Sequence, residues 1–267
     1  QGRSHPAGDG QGAQAPTFDR RHGRIHLLKH HVHLSAHQIA GPSSTTFVGN
    51  VYQVNACRLL TATHSNANLR GLFRNILELN PAPYASYLEI PNLNIASASP
   101  ELFLERLGSR VKTSPIKGTQ ILGSKEFGVK DRSENIMIVD LMRNDLGMIC
   151  QSGSVEVTQL LYSQDHPGLQ HLVSDVEGDL LPGLSWKEII TAVAPPGSVS
   201  GAPKSSALSV IAEYEKPRGP YCGILGWVEG DRAMLSVAIR IFWKEEDIHF
   251  GTGAGITFSS DSQAEWE

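Results

Sequence analysis

The run TSPIKGT, residues 113–119, seats Lys117 on a short corner between Pro115 and Gly118. A lysine amine becomes a nucleophile once desolvation or nearby cations favour its neutral form. The sequence just upstream supplies a partner. ELFLERLGSRVKTSPIKGT reads as two strands turning at Gly108–Ser109, and antiparallel pairing about that turn sets Glu101 opposite about position 116. Glu101 and Lys117 are then neighbours in a cleft walled by apolar strands, where a carboxylic acid could protonate a leaving group while an amine attacks. Spacing alone favours the plainer alternative, an ion pair that closes the hairpin.

Other residues raise similar questions. In DRSENIM, Asp131 and Glu134 fit a D-x-x-E capping box. Alternatively Glu134 faces a cleft and holds a hard cation such as Mg²⁺, and spacing does not separate the two. In LSVAIRIFW, strand alternation puts Ser236, Ala238, Arg240 and Phe242 on one face. Arg240 among small and apolar neighbours is costly unless it meets an anion or opens into a polar cavity, and a carboxylate suits its fork. One hairpin later, GTGAGI offers Gly253, Ala254 and Gly255 as a glycine loop whose N–H groups converge on a carboxylate, or as a plain turn. His171, in LQHLVS, alternates on a strand, where a lone histidine is more often a satisfied core group than an acid or base.

The elements that must carry these residues are mostly strands. YASYLEI, ELFLERL, SRVKTSP, HLVSDVEG, YCGILGWVEG, AMLSVAIRIFW and DIHFGTGAGI are short apolar or alternating runs parted by Gly, Pro, Asn and charged turns, the pattern of antiparallel sheet. Two stretches read as helices. DRSENIMIVDLMRNDLG has Asp131 as a candidate cap, apolar residues at Ile136, Val139 and Met142, and a stop at Gly147. SGAPKSSALSVIAEYE starts with a small-residue turn and a proline. The class is therefore α+β.

Residues 1 to about 16 are too rich in Gly, Pro, Ala and Gln to bury a face. Segment 1–45 reads as a flexible segment rich in histidine (His22, His26, His30, His31, His33, His37), or as the remnant of an N-terminal subdomain, with a hairpin turn at RHGR. No zinc spacing occurs there. The 267 residues, 40% hydrophobic and 19% charged, suffice for a sizeable core. A net charge of -4 gives no basic surface for nucleic acid, and no apolar run is long enough for a membrane span. Cys57, Cys150 and Cys222 are too scattered for a metal site, and no secretory leader is evident, so the expected setting is reducing and cytoplasmic. The residues alone thus lead to a soluble enzyme for a small polyanionic substrate with Mg²⁺.

The motifs SPELFL, SPIKGT, KDRSENIMIVDLMRNDLG, GSVEV, HLVSDVEG, PPGSVSGAPK, RGPYCGILGW, SVAIR, GAGI and DSQAEWE occur in one order from about Gly49 onward. Together they resemble the chorismate-utilising enzymes: anthranilate synthase component I, aminodeoxychorismate synthase component I, isochorismate synthase and salicylate synthase. The resemblance implies two large antiparallel sheets packed face to face with helices outside, and residues 46–267 as the chorismate-binding catalytic domain. It implies chorismate as substrate and Mg²⁺ on its ring carboxylate. Glu101 then matches the general acid for the C4 hydroxyl, and Glu134 and Glu265 match metal ligands. Tyr221, Arg240, Ser200 and the backbone of Gly253, Ala254 and Gly255 match groups that bind substrate, and His171 and Thr119 match polar residues lining the ring site.

Two positions discriminate within the family. Where anthranilate and isochorismate synthases carry alanine, Lys117 resembles the lysine of aminodeoxychorismate synthases. Gln53 replaces the lysine base of the water-using members. The expected reaction is chorismate plus ammonia to 4-amino-4-deoxychorismate, on the route to para-aminobenzoate, with ammonia from a glutamine amidotransferase subunit or fused domain. Anthranilate synthase and a non-catalytic chorismate-binding protein are the alternatives. The family's long N-terminal subdomain and its second C-terminal metal ligand have no counterpart in this sequence, so it is expected to be a piece of a longer enzyme.

Overall fold

A computed structural model describes residues 50–63, 68–124, 126–258, 260, 261 and 265, together with two short strands nearer the N-terminus. Those strands, β1 (Phe18–Asp19) and β2 (Arg24–Ile25), pair antiparallel across the expected RHGR turn and belong to a unit spanning Gln1–His31. The expected histidine-rich tail otherwise lies outside the described residues.

The second unit, Val32–Glu267, holds two sheets. In chain order its strands are β3 (Gln53–Ala62), β4 (Tyr84–Ile90), β5 (Leu93–Ser99), β6 (Leu102–Leu107), β7 (Arg110–Ser114), β8 (Ile116–Ile121), β9 (Glu156–His166), β10 (Leu169–Asp179), β11 (Gly201–Ala202), β12 (Ile224–Glu229), β13 (Arg232–Val237), β14 (Ile241–Lys244) and β15 (Ile248–Thr257). One sheet is six-stranded in the order β11-β3-β15-β14-β5-β4. The other is seven-stranded: β12-β13-β6 run on to β7 and β8, which lie end to end along one side of β10, while β9 pairs along the other side. All these pairings are antiparallel. The sheets pack face to face through one core, with Ile95, Ile241 and Trp243 of the first meeting Leu104, Val111, Val176 and Leu235 of the second.

Four helices flank the sheets among the described residues: α1 (Leu69–Leu79), α2 (Val129–Gly147), α3 (Trp186–Val193) and α4 (Lys204–Tyr214). The strand runs read from the sequence left out α1 and α3, although both carry readable signals. Asn68 caps α1 by accepting from the Arg70 N–H at 2.8 Å. Ser185 and Glu188 form a reciprocal capping box at α3.

Two expectations are corrected. Helix α2 begins at Val129, two residues before Asp131, and Asp131 accepts the Gly128 N–H at 3.2 Å. The D-x-x-E capping box is therefore not formed, and Glu134 is released from a capping role. The helix also turns Ile136 outward, 44% exposed, and buries Asn135, Ile138, Val139, Met142 and Leu146 instead. Second, SVAIRIFW is two strands in different sheets. β13 ends at Val237, the chain crosses over through residues 238–240, and β14 begins at Ile241. Arg240 takes a left-handed φ of 49°, which breaks the strand alternation and turns its side chain into the gap between the sheets' ends.

Candidate active site

A cavity of about 350 Å³ opens where the two sheets meet. The seven-stranded sheet contributes Lys117 and Thr119 from β8 and His171 from β10, with Glu101 just before β6. The six-stranded sheet contributes Asn55 and residues 250–255 of β15. The crossover adds Arg240, and two further turns add Ser198 and Tyr221.

Glu101 and Lys117 are brought together, though not as an ion pair closing a hairpin. Pro115 interrupts the strand, so Lys117 rides on β8, whose partner is β10. The part-buried Lys117 Nζ donates to the Ser198 carbonyl at 2.8 Å. Desolvation pushes its pKa below the usual lysine range, against the opposing fields of Glu101 and Glu134. Glu101 is 4% exposed, and desolvation raises its pKa against hydrogen bonds from the Ser198 side chain and the Ile116 N–H and the field of Lys117. Both groups are thereby moved towards their neutral forms, an acid that can give a proton and an amine that can attack.

The opposite wall is built for negative charge. The stretch GTGAGI is the body of strand β15, not a loop: Gly253, Ala254 and Gly255 pair with Cys57, Ala56 and Asn55 of β3. Pairing with β14 stops at Phe250, so beyond it that side of β15 faces the cavity without a strand partner. Glycine is required here for close approach. A Cβ on Gly251 would stand 2.1 Å from the Tyr221 ring, and one on Gly255 would stand 1.9 Å from Gln53 Nε2. Arg240 Nη2 lies 3.4 Å from His171 Nε2, and His171 Nδ1 lies 2.9 Å from Thr119 Oγ1. Arginine only donates, so Nε2 is the acceptor and the ring proton sits on Nδ1.

Burial, the field of Arg240 and that of His166 lower the His171 pKa to about 4. Because the unfolded chain takes up this proton first, the contribution to stability is complete above pH ~6.5 and is lost as the pH falls from ~6.5 to ~4. Urea titrations are expected to show wild type losing about 3 kcal/mol more than His171→Gln over that interval, and parallel curves would refute this.

Arg218 holds the walls in register. It makes a bidentate pair with Glu215 at 2.7 and 3.0 Å and donates to the carbonyls of Asn55 at 2.6 Å and Val199 at 3.0 Å. Glu215 also accepts the Cys57 N–H at 2.8 Å, so the pair satisfies an edge of β3 that β11 is too short to cover.

Three expected site residues lie outside the lining. Ser200 is buried and its hydroxyl donates to the Pro196 carbonyl at 3.0 Å; Ser198, two residues earlier, faces the cavity instead. Nothing in the spacing of GSVSG marks which serine a 3₁₀ turn over Gly197–Val199 will present. Glu134 and Glu265 sit beside the cavity, sharing Lys130, whose Nζ is 3.9 Å from the first and 3.3 Å from the second. Glu134 Oε1 is buried without a hydrogen-bond partner, and Glu265 Oε1 accepts from Ser260 Oγ at 2.9 Å. Two carboxylates converging on one cation, one with an orphaned oxygen, form a donor set that fits a hard divalent ion.

The family model for chorismate-binding enzymes matches residues 44–267. The chain belongs to the chorismate-binding enzymes. This family member is 38% identical to anthranilate synthase component 1 1 of Haloarcula marismortui over 82% of its own length and 47% of the relative's. It is 33% identical to aminodeoxychorismate synthase component 1 of Bacillus subtilis, over 82% of this chain and 49% of that one. The crystal structure of anthranilate synthase component I from Streptococcus pneumoniae TIGR4 superposes with a TM-score of 0.79 at 31% identity, covering 88% of this chain and 56% of that one. The menaquinone-specific isochorismate synthase of Escherichia coli, at 19% identity and a TM-score of 0.74, shares the fold. The chain thus spans about half the length of the curated relatives it matches. Among the described residues no helix is long and apolar enough to cross a membrane.

Proposed function

We propose that this chorismate-binding enzyme converts chorismate and ammonia to 4-amino-4-deoxychorismate. The observation that carries the reading is Lys117 itself, an amine lowered in pKa and held by Ser198 beside a buried carboxyl raised in pKa. The amine nitrogen bonds to ring C2, the ring double bonds shift, and the C4–O bond breaks as Glu101 protonates the departing hydroxyl, which leaves as water. Ammonia then bonds to C4, the double bonds return, and Lys117 leaves C2. Arg240, Tyr221 and the open backbone of β15 hold the substrate's carboxylates, while Thr119 and His171 line the ring site. Glu134 and Glu265 would hold Mg²⁺, whose charge when bound would offset that of the ring carboxylate. Relatives named as component 1 of their synthases support a second, glutamine-hydrolysing partner as the source of ammonia.

Anthranilate synthesis is the second reading, favoured by relatives of that name at up to 38% identity. Mass-spectrometric product analysis with chorismate, Mg²⁺ and ammonium salt, at a pH supplying free ammonia, decides between them. 4-Amino-4-deoxychorismate without pyruvate is expected. Anthranilate with pyruvate would transfer the assignment to the second reading, and unchanged chorismate would refute both.

A further inference from the structure

The reacting pair meets at Ser198, in a turn that Arg218 holds from one side through the Val199 carbonyl at 3.0 Å. A second tie lies at the ends of the segment. Lys204, the first residue of α4, donates to the carbonyl of Val193, the last residue of α3, at 2.9 Å, and so closes residues 194–203 into a loop. The same amine reaches Asp145 Oδ2 of α2 at 2.5 Å, with the two side chains only 16% and 5% exposed. Gly197 presses the closed loop against α2, where an added Cβ would stand 2.5 Å from both Leu141 and Met142. At the loop's tip the Ser198 carbonyl takes the Lys117 amine and its side chain bonds Glu101.

From this arrangement we infer that Lys204 and Asp145 are positioning residues: their ion pair straps the 194–203 loop to α2 and so fixes Ser198 against Lys117 and Glu101. Burying an ion pair is a poor way to gain stability, since apolar residues of similar volume do as well or better. What the pair adds here is direction, because the ammonium must satisfy a carboxylate on one helix and a carbonyl at the end of another at the same time. The catalytic consequence rests on reading Lys117 and Glu101 as the reacting pair. The strap itself does not.

The test uses Asp145→Leu/Lys204→Met, which replaces the pair with an apolar contact and leaves no unpaired charge, alongside Lys204→Arg. Amide hydrogen exchange is read by mass spectrometry on the peptide covering 194–203, and kcat and KM are measured for chorismate consumption. The double variant is expected to keep the wild-type melting temperature within a few degrees. Its loop peptide should exchange at least about tenfold faster with other peptides unchanged, and kcat should fall about tenfold with KM within about twofold. Lys204→Arg should retain most of the loop protection. Wild-type exchange in the double variant would overturn the strap, as would faster exchange spread over the whole chain. Faster loop exchange with unchanged kcat would remove its catalytic role. Failure of wild type to consume chorismate would refute the proposed reaction, while the exchange data would still decide the strap.

Discussion

Replacing Lys117 with alanine is expected to slow product formation by on the order of 10³-fold or more at saturating ammonia, because it removes the atom that forms the bond to C2. Chorismate binding should persist, since Arg240, Tyr221 and the open side of β15 are untouched. Intact-mass analysis of wild type quenched during turnover should show a substrate-derived adduct located to Lys117 by peptide mapping, and the variant should show none. The substitution also withdraws a positive field from Glu101, so that carboxyl should remain protonated to higher pH than in wild type. A variant with full activity at saturating ammonia would eliminate the covalent role and leave Lys117 as a positioned cation.

Glu101→Gln is expected to cost roughly 10²–10⁴-fold in turnover, the range associated with a single general acid. Glutamine keeps the size of the side chain and an oxygen that can accept from Ser198 and the Ile116 N–H, so the fold around it should survive. The sign of the pH dependence follows from the two groups' tasks. The acid works only when protonated, so activity falls as pH rises through its raised pKa. The amine works only when neutral, so activity rises with pH through its lowered one. Profiles of kcat/KM should therefore lose the alkaline limb in Glu101→Gln and keep the acidic one. Retention of the alkaline limb would assign that limb to another group and end Glu101's role as the acid.

The proposed metal site rests on the same local geometry. Glu134 is left out of the cap because the helix starts two residues earlier than its sequence suggests, and Asp131 satisfies the cap instead. Glu134 also acts on Lys117 through its field, so an ion placed there would be felt by the reacting amine.

The sequence by itself determined the class of fold and most of the site's membership. Alternating apolar runs marked β4, β6, β7, β10 and β12, since a half-buried strand must alternate and a turn needs residues such as Gly108. Lys117, Glu101 and Arg240 stood out as chemistry-bearing from the residues themselves, Thr119 and Tyr221 only through the family resemblance, and His171, which spacing alone reads as a core group, through that resemblance too; all line one cavity. Tertiary structure alone decided how they meet. The Pro115 break moves Lys117 to the strand beside β10, the left-handed Arg240 carries the chain from one sheet to the other, and the end of β14 pairing at Phe250 turns a glycine-rich strand into an open backbone edge. Such features depend on which strands are neighbours, which period-two patterning does not encode. The same holds for Ser198 and for the Lys204–Asp145 strap, whose partners lie far apart in sequence and are matched by packing.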